Sequence, residues 1–232
     1  MVACLESALR LCARHRQTLM PDFTYLQHAH PTTLGHYLLG FFYPLERDLR
    51  RLEDIMADLD ACPAGSVSTN GTRLPVDRDR MRELLGFSSL IHHNRDAMWQ
   101  TDLPIHLMAI LVSIHTTIDR LAEEWLIWCT SEFDFLELAD AHCRTSVIMP
   151  QKKNPYSLAH LRGRARAMTG RFVSIVATNQ TPTGQVDNRT SAYSLLPESL
   201  RETHDSVALL AEIMEQAVFN ESRLEEMAGE GA

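Results

Sequence analysis

Residues 143–162 read CRTSVIMPQKKNPYSLAHLR, and the remaining sequence is best interpreted around this stretch. Hydroxyl side chains at Thr145 and Ser146 precede a proline, two adjacent lysines and an asparagine, and a helical pattern follows. Hydroxyls, cations and an amide donor together suit a loop that binds a carboxylate and abstracts a proton. By composition alone, a solvated connector punctuated by Pro150 and Pro155 fits equally well.

Long helical patterns lie on both sides of this stretch. Apolar residues recur every three or four positions from Leu34 to Leu59, which predicts a long amphipathic helix. A helix that is apolar on most sides is predicted from Asn94 to about Thr130, and such a helix is usually buried among other helices or subunits. The polar tail 225–232 is expected to fray. Further helices are predicted at residues 3–20, 79–85, 155–179 and 194–219.

These patterns predict an all-α fold. No convincing strand, internal repeat or low-complexity tract is present in the sequence. Long helices of this kind usually form a bundle, and the nearly all-apolar central helix predicts that oligomerisation completes the core.

The composition is that of a soluble globular protein. The 232 residues are 45% hydrophobic and 22% charged, enough to bury a substantial core. A net charge of −8 argues against a nucleic-acid partner. Polar residues interrupt every apolar stretch, so no membrane span is expected, and residues 1–17 lack the apolar core of a signal peptide. Five cysteines without a CxxC spacing are typical of reduced thiols in a cytoplasmic protein.

Eleven histidines raise the question of a metal site. His28 and His30 flank one alanine, and His92 and His93 are adjacent, but neither pair joins a carboxylate or a cysteine at a metal-ligand spacing. The sequence contains no glycine-rich phosphate loop and no nucleotide fingerprint. It therefore predicts neither a metal nor a cofactor.

The segment TSVIMPQKKNP closely resembles the signature of the fumarase/aspartase superfamily, GSS-x-MP-x-K-x-NP, and is most similar to the argininosuccinate lyase branch. FTYLQHAHPTTLGHYLL, residues 23–39, resembles that branch's YTHLQ-x-AQP segment and the helix after it. LPVDRDRMRELLGF, residues 74–87, resembles a loop and short helix of the family. LIWCTSEFDFLELAD, residues 126–140, resembles the approach to the signature. The resemblance extends from about Pro21 to Glu198.

The resemblance implies a homotetramer in which central helices pack into a shared bundle and active sites form where three subunits meet. Family members are longer than this chain. They carry an N-terminal segment with another active-site region and a smaller C-terminal helical domain. Residues 1–232 are therefore expected to be the central helical-bundle domain of a longer lyase.

The same resemblance implies the chemistry. Such enzymes eliminate fumarate from a succinyl-amine, after a base removes the proton next to a carboxylate. Ser146 matches the serine base, Lys152 the lysine that holds the substrate carboxylate, and Asn154 an asparagine that donates to the substrate. Thr24 and Gln27 fall in a second active-site region and are expected to bind the other carboxylate. Because a serine is a poor base, nearby cations and backbone N–H groups must stabilise its alkoxide.

Several positions depart from the family pattern. Tyr25 stands in place of a histidine, and Ala159 in place of the glutamate that partners this histidine. Tyr25 remains a candidate acid, although tyrosine is a weaker acid than a histidinium ion. Thr101 replaces an arginine, and the connector TPTGQVDNRTS, residues 181–191, does not clearly reproduce the residues that bind the leaving amine. Lys153 is interpreted as a structural or surface charge.

The expected function is a C–N lyase acting on a small dicarboxylate in the cytoplasm, without a nucleic-acid or membrane partner. Argininosuccinate is the default substrate, which would place the enzyme in arginine biosynthesis. A first alternative is a different aminosuccinate, such as an ethylenediamine-disuccinate-like compound. A second alternative is a catalytically degenerate paralogue that keeps the bundle as a structural subunit.

Overall fold

The computed structural model describes residues 1–68, 70–99, 101–180, 187 and 190–230. Helices occupy most of these residues, and the predicted all-α class is confirmed. The α-helices in the described ranges are α1 (Val2–Arg14), α2 (Leu34–Leu59), α3 (Arg78–Leu85), α4 (Asn94–Trp99), α5 (Asp102–Trp128), α6 (Tyr156–Thr178), α7 (Thr190–Tyr193), α8 (Leu195–Gln216) and α9 (Glu221–Glu230).

Short two-residue ladders connect segments between the helices. The sequence does not predict them, because two residues are too few to show the alternation of a strand. The antiparallel pairs are β1 (Leu19–Met20) with β4 (Thr32–Thr33), β2 (Phe23–Thr24) with β3 (Gln27–His28), β7 (Leu136–Glu137) with β10 (Val218–Phe219), and β8 (Arg144–Thr145) with β9 (Lys153–Asn154). The parallel pair is β5 (Ala61–Cys62) with β6 (Ser89–Leu90).

The chain forms two compact units. The first unit comprises Met1–Leu49, Ser113–Ala167 and Arg201–Ala232, and the second comprises Arg50–Val112 and Met168–Leu200. Both predicted active-site segments, the β2–β3 hairpin and the 143–162 stretch, belong to the first unit.

An aromatic cluster forms part of the core of the first unit. The Trp128 ring lies 5.0 Å from Tyr37, 6.0 Å from Phe135 and 6.3 Å from Phe219, measured between ring centroids. Trp125 meets Phe219 edge to face at 5.8 Å. These tilted and edge-to-face geometries are the favoured ones for aromatic pairs, so the end of α5 is firmly packed.

Gly35 allows the start of α2 to approach the end of α1 closely. Its N–H donates to the His15 carbonyl at 3.0 Å. A Cβ atom at this position would lie 2.5 Å from the Cys12 carbonyl oxygen, far inside van der Waals contact. The glycine is therefore required by the backbone-to-backbone contact.

In the second unit, Arg78 ties the loop before α3 to the segment after it. Its guanidinium donates to the carbonyls of Ala64 at 3.0 Å and Ile91 at 2.8 Å. Asp77 caps the start of α3, and Gly86 ends it in the left-handed region at φ 80°. The predicted short helix and its glycine stop are confirmed.

Other predicted boundaries are wrong. The first helix ends at Arg14 rather than near residue 20, because the chain leaves helical geometry at His15 (φ −104°, ψ 24°) and then pairs β1 with β4. The helix predicted from residue 94 to 130 divides into α4 and α5. The tail does not fray from residue 225, because α9 buries Leu224 (0% exposed) and Ala228 (5% exposed).

By length and composition alone, α5 is apolar enough to cross a membrane, with a mean hydropathy of 1.2 over its best window. This departs from the expectation that polar residues interrupt every apolar run. Between Leu103 and Ile118 the polar residues are histidine, serine and threonine, and aspartate, glutamate, lysine and arginine are absent. Within the chain, 44% of that window is buried.

Candidate active site

The first candidate segment is the tight β2–β3 hairpin. Thr24 lies directly opposite Gln27 in the ladder, so the two predicted carboxylate-binding side chains are neighbours. Tyr25 and Leu26 form the turn, both at φ 57°. Two consecutive residues with positive φ are the geometry of a type I′ hairpin turn, which glycine or asparagine adopts more easily. The strain of this turn indicates that the surrounding contacts hold it in place.

Those contacts lie at the base of the hairpin. The Phe23 ring meets His28 at 5.2 Å and packs against Phe133 at 5.8 Å. The Asp22 carboxylate accepts from the Phe23 N–H at 2.8 Å, and the Asp22 carbonyl accepts from the Ala29 N–H at 2.8 Å. The hairpin is therefore anchored on the segment that leads from α5 to the signature loop.

The signature loop is the turn that joins β8 to β9. The ladder pairs Arg144 with Asn154 and Thr145 with Lys153. The Ser146 N–H donates to the Lys152 carbonyl at 3.2 Å, which closes the loop. The predicted base and the predicted carboxylate-binding lysine are thus brought together across the neck of one turn.

The Ser146 hydroxyl faces backbone N–H donors. Its Oγ accepts from the N–H of Ile148 at 3.3 Å and of Met149 at 3.2 Å. Hydrogen bonds donated to an oxygen favour its negatively charged form. The loop therefore supplies part of the stabilisation that a serine alkoxide requires.

The two adjacent lysines have different surroundings. The Lys153 ammonium lies 2.8 Å from the Asp140 carboxylate and 3.2 Å from that of Glu137. The hydrogen bond to Asp140 raises the pKa of Lys153, and the same bond lowers the pKa of Asp140. Lys152 is exposed, and within the described ranges its ammonium forms no ion pair. These ion pairs agree with the interpretation of Lys153 as a structural or surface charge. The role of Lys152 in holding a carboxylate stays a prediction.

Asn154 is partly committed to the loop itself. Its Nδ2 donates to the Arg144 carbonyl at 3.0 Å. This bond crosses the β8–β9 ladder and supports the base of the loop. Within the described residues, the other amide N–H and the carbonyl oxygen of this side chain form no hydrogen bond.

His142 is a buried residue at the base of the signature loop whose contact the sequence does not indicate. It is 3% exposed, and its Nδ1 lies 3.3 Å from the Ser157 hydroxyl. His142 precedes the signature loop and Ser157 lies in the first turn of α6, so this buried bond joins the two ends of the loop. No spacing or motif in the sequence connects these two residues.

Tyr25 and Ala159 do not complete an acid–base pair. Tyr25 is 99% exposed at the tip of its turn, and Ala159 is exposed on α6. Among the residues that the structure describes, no hydrogen bond joins the hairpin to the signature loop. Thr101 is half-buried. Most of the connector that does not clearly reproduce the family's amine-binding residues, 181–186, 188 and 189, lies outside the described residues.

Comparison with known proteins shows the family of the chain. The chain matches the lyase family model over residues 5–170. Argininosuccinate lyase from Methanocorpusculum labreanum is 37% identical over 216 residues, covering 93% of this chain and 44% of that protein. Argininosuccinate lyase from Methanosphaerula palustris is 34% identical over 229 residues, covering 97% of this chain and 46% of that protein. The chain thus spans less than half the length of these curated relatives.

Solved structures share the fold. A crystal structure of EDDS lyase in complex with formate matches with a TM-score of 0.90 at 29% identity, over 98% of this chain and 45% of that one. A class II fumarase from Schistosoma mansoni matches with a TM-score of 0.83 at 16% identity, over 97% of this chain and 53% of that one, which shows a common fold. With a family match over most of its length and this bundle architecture, the chain belongs to the fumarase/aspartase superfamily of lyases.

Proposed function

We propose that this chain is the central helical-bundle part of a longer C–N lyase of the argininosuccinate lyase type. The enzyme eliminates fumarate from an N-substituted aspartate. Argininosuccinate, which gives arginine and fumarate, is the default substrate, because relatives named argininosuccinate lyase cover 93% and 97% of this chain. This substrate places the enzyme in arginine biosynthesis.

One observation carries the proposal. The Ser146 hydroxyl accepts from two backbone N–H groups in a loop whose neck is closed by Lys152. This combination of a hydroxyl, fixed N–H donors and a cation that forms no ion pair among the described residues suits removal of a weakly acidic C–H proton. An EDDS lyase variant with bound fumarate, matched with a TM-score of 0.89, supports fumarate as the product.

The proposed steps follow from these groups. The Ser146 alkoxide takes the proton from the carbon next to a carboxylate, and Lys152 stabilises the charge that develops on this carboxylate. The released electron pair forms the new double bond, and the C–N bond breaks with its pair remaining on nitrogen. The leaving nitrogen then needs a proton, for which Tyr25 is the candidate donor. Thr24, Gln27 and Asn154 orient the dicarboxylate.

The protein is further proposed to be a cytoplasmic homotetramer with shared active sites. Val147 is 94% exposed and Ile148 is 88% exposed, although both are apolar and lie next to the proposed base. Apolar side chains exposed beside a reactive group are expected where another subunit covers the surface. Tyr25, which is also exposed, would reach a substrate by the same assembly.

Two alternatives remain. Another aminosuccinate, such as an ethylenediamine-disuccinate-like compound, is favoured by the EDDS lyase match at 29% identity. A degenerate paralogue that serves as a structural subunit is favoured by Tyr25 and Ala159, which replace both halves of one family pair. The alternatives differ in whether any fumarate forms and from which substrate.

The test is the appearance of fumarate, followed by ultraviolet absorbance, from argininosuccinate and from ethylenediamine disuccinate. The full-length protein is used, and light scattering reports its assembly. Turnover of argininosuccinate supports the main proposal, and turnover of the second compound alone supports the first alternative. No fumarate from either substrate, in a protein that assembles normally, supports the degenerate paralogue. A monomer contradicts the shared site.

A further inference from the structure

A buried hydrogen bond joins the two ends of the signature loop. His142 ends a short 3₁₀ turn, Asp140–His142, just before β8, and Ser157 lies in the first turn of α6. His142 is 3% exposed and Ser157 is 7% exposed. The His142 Nδ1 lies 3.3 Å from the Ser157 Oγ. This bond closes, away from solvent, the segment 143–156 that carries the proposed base.

The other contacts that close the segment are more exposed or lie within the loop. Asp140 and Lys153 pair at 2.8 Å, but the Asp140 side chain is 96% exposed, and exposed ion pairs contribute little. The side chain of Asn154 bonds to the Arg144 carbonyl, which lies inside the loop. The His142 bond instead reaches α6, and it lies where water competes less for the donor and the acceptor.

The start of α6 is a firm anchor for this bond. Leu158 and Leu161, which follow Ser157 in the helix, are both 0% exposed. Side chains that are packed on all sides hold their helix in one position. The Ser157 hydroxyl is therefore a fixed point to which the chain entering the loop is tied through His142.

The second ring nitrogen of His142 adds a cost. The Nε2 atom is buried and forms no hydrogen bond with the residues that the structure describes. A buried polar atom without a partner lowers stability, and an apolar side chain of similar volume would avoid this loss. This histidine is therefore better explained by what it does for the loop than by the stability of the fold.

We propose that His142 is a positioning residue of the lyase site. Its bond to Ser157 keeps β8 and the start of α6 at a fixed separation. The Ser146 hydroxyl then stays within reach of the N–H groups of Ile148 and Met149. These N–H groups favour the charged form of the hydroxyl, so a loop that shifts yields a weaker base. His142 acts through Ser146, and the inference rests on the proposed elimination.

The double variant His142→Leu/Ser157→Ala tests the proposal in the full-length protein. Replacing both partners of a buried hydrogen bond by apolar groups is nearly neutral or stabilising, so the urea midpoint should stay equal or rise. Hydrogen–deuterium exchange in peptides covering 143–156, followed by mass spectrometry, should become about three- to tenfold faster, the effect of losing one hydrogen bond. The kcat should fall by a similar factor, and KM should change less.

His142→Asn is the conservative variant, because its amide places a polar atom where Nδ1 of the histidine lies. It should retain much of the slow exchange and of kcat. His204→Leu is the matched control. His204 is exposed on α8 and contacts Asp205 at 3.2 Å, so its loss removes a histidine hydrogen bond elsewhere. It should leave kcat and the exchange of residues 143–156 unchanged.

Unchanged exchange of residues 143–156 in the double variant overturns the proposal. A lower urea midpoint with faster exchange throughout the chain also overturns it, because the bond then serves the whole fold. If the double variant does not fold, Ser157→Ala takes its place, and faster exchange confined to 143–156 is the deciding result. In an active enzyme, faster exchange with unchanged kcat refutes the effect on the base.

Hydrogen exchange is measured without substrate, which separates this inference from the proposed function. If the unaltered protein releases no fumarate, the proposed elimination fails. Faster exchange of residues 143–156 in the double variant would still show that His142 positions the loop.

Discussion

The ammonium of Lys153 lies 2.8 Å from the carboxylate of Asp140, across the base of the loop that carries the proposed base. The backbone of Lys153 also pairs with Thr145 in the β8–β9 ladder. Its neighbour Lys152 forms no ion pair within the described part of the chain and lies at the neck of the loop beside Ser146. The two adjacent lysines therefore differ in their surroundings: Lys153 is ion-paired, whereas Lys152 is the residue proposed to bind the substrate carboxylate.

Replacing each lysine by methionine should separate their roles. Lys152→Met is expected to lower kcat/KM for fumarate release by about 10²–10³, because it removes a fixed charge at the developing carboxylate charge. Lys153→Met should lower the melting temperature slightly and affect turnover much less. Steady-state kinetics and thermal unfolding of both variants provide the measurement. Equal losses of activity would contradict this division.

Ser146→Ala should lower kcat by about 10²–10⁴, the usual effect of removing a general base. The substitution also leaves the N–H groups of Ile148 and Met149 without their acceptor, so a conservative variant is needed. Ser146→Thr keeps a hydroxyl at this position and should retain more activity than the alanine variant. Single-turnover fumarate formation distinguishes the two. Unchanged turnover in Ser146→Ala would show that another group takes the proton.

His15 should make the fold sensitive to acid. Burial lowers the pKa of His15 below its ordinary value of 6.5, against the smaller opposing effect of Glu221. The unfolded chain then binds the proton more readily than the folded chain does. The contribution of His15 to the free energy of unfolding is therefore fully present above pH 6.5, and it is lost as the pH falls through the lower pKa that His15 has in the folded chain. His15→Asn should flatten the decline in unfolding free energy, measured with urea between about pH 7 and pH 5.

His204→Asn is the control for this experiment, because His204 is exposed on α8. It should leave the dependence of stability on pH unchanged. An unaltered decline in His15→Asn would assign the acid sensitivity to other groups.

Gly35→Ala should destabilise the protein by about 1–3 kcal/mol, because the new methyl group would strike the Cys12 carbonyl 2.5 Å away. Gly40→Ala in the same helix is the matched control. A Cβ at Gly40 meets nothing within 4 Å, so this change should stabilise the protein by about 0.5–1 kcal/mol. Urea unfolding measures both changes in unfolding free energy. Changes of opposite sign would confirm the close contact of α1 and α2, and changes of the same sign would refute it.

Leu224→Ala should lower the unfolding free energy by about 2–4 kcal/mol, since its side chain is 0% exposed in α9. Glu225→Ala, at the exposed neighbouring position, should change it by less than about 0.5 kcal/mol. Urea unfolding of both variants is the measurement. A negligible effect of Leu224→Ala would mean that α9 adds little to the packed core.

Local signals predicted much of the fold. The three- and four-residue steps from Leu34 to Leu59 gave α2 with both ends correct, and Gly86 ended α3 where the left-handed cap requires glycine. The polar tail was mispredicted because only one side of α9 is apolar. Whether Leu224 is buried depends on a neighbouring element, and the local sequence does not contain that element.

The sequence by itself determined the class, the superfamily and the order of the site segments, because periodicity and the TSVIMPQKKNP signature are local properties of the chain. The tertiary structure alone decided the surroundings of each group. It brought the Ser146 hydroxyl to the N–H groups of Ile148 and Met149, assigned Lys153 to Asp140, and joined His142 to Ser157. Hydrogen bonds and charge pairs depend on distances of a few ångströms between side chains and backbone, and the folding of the chain fixes those distances.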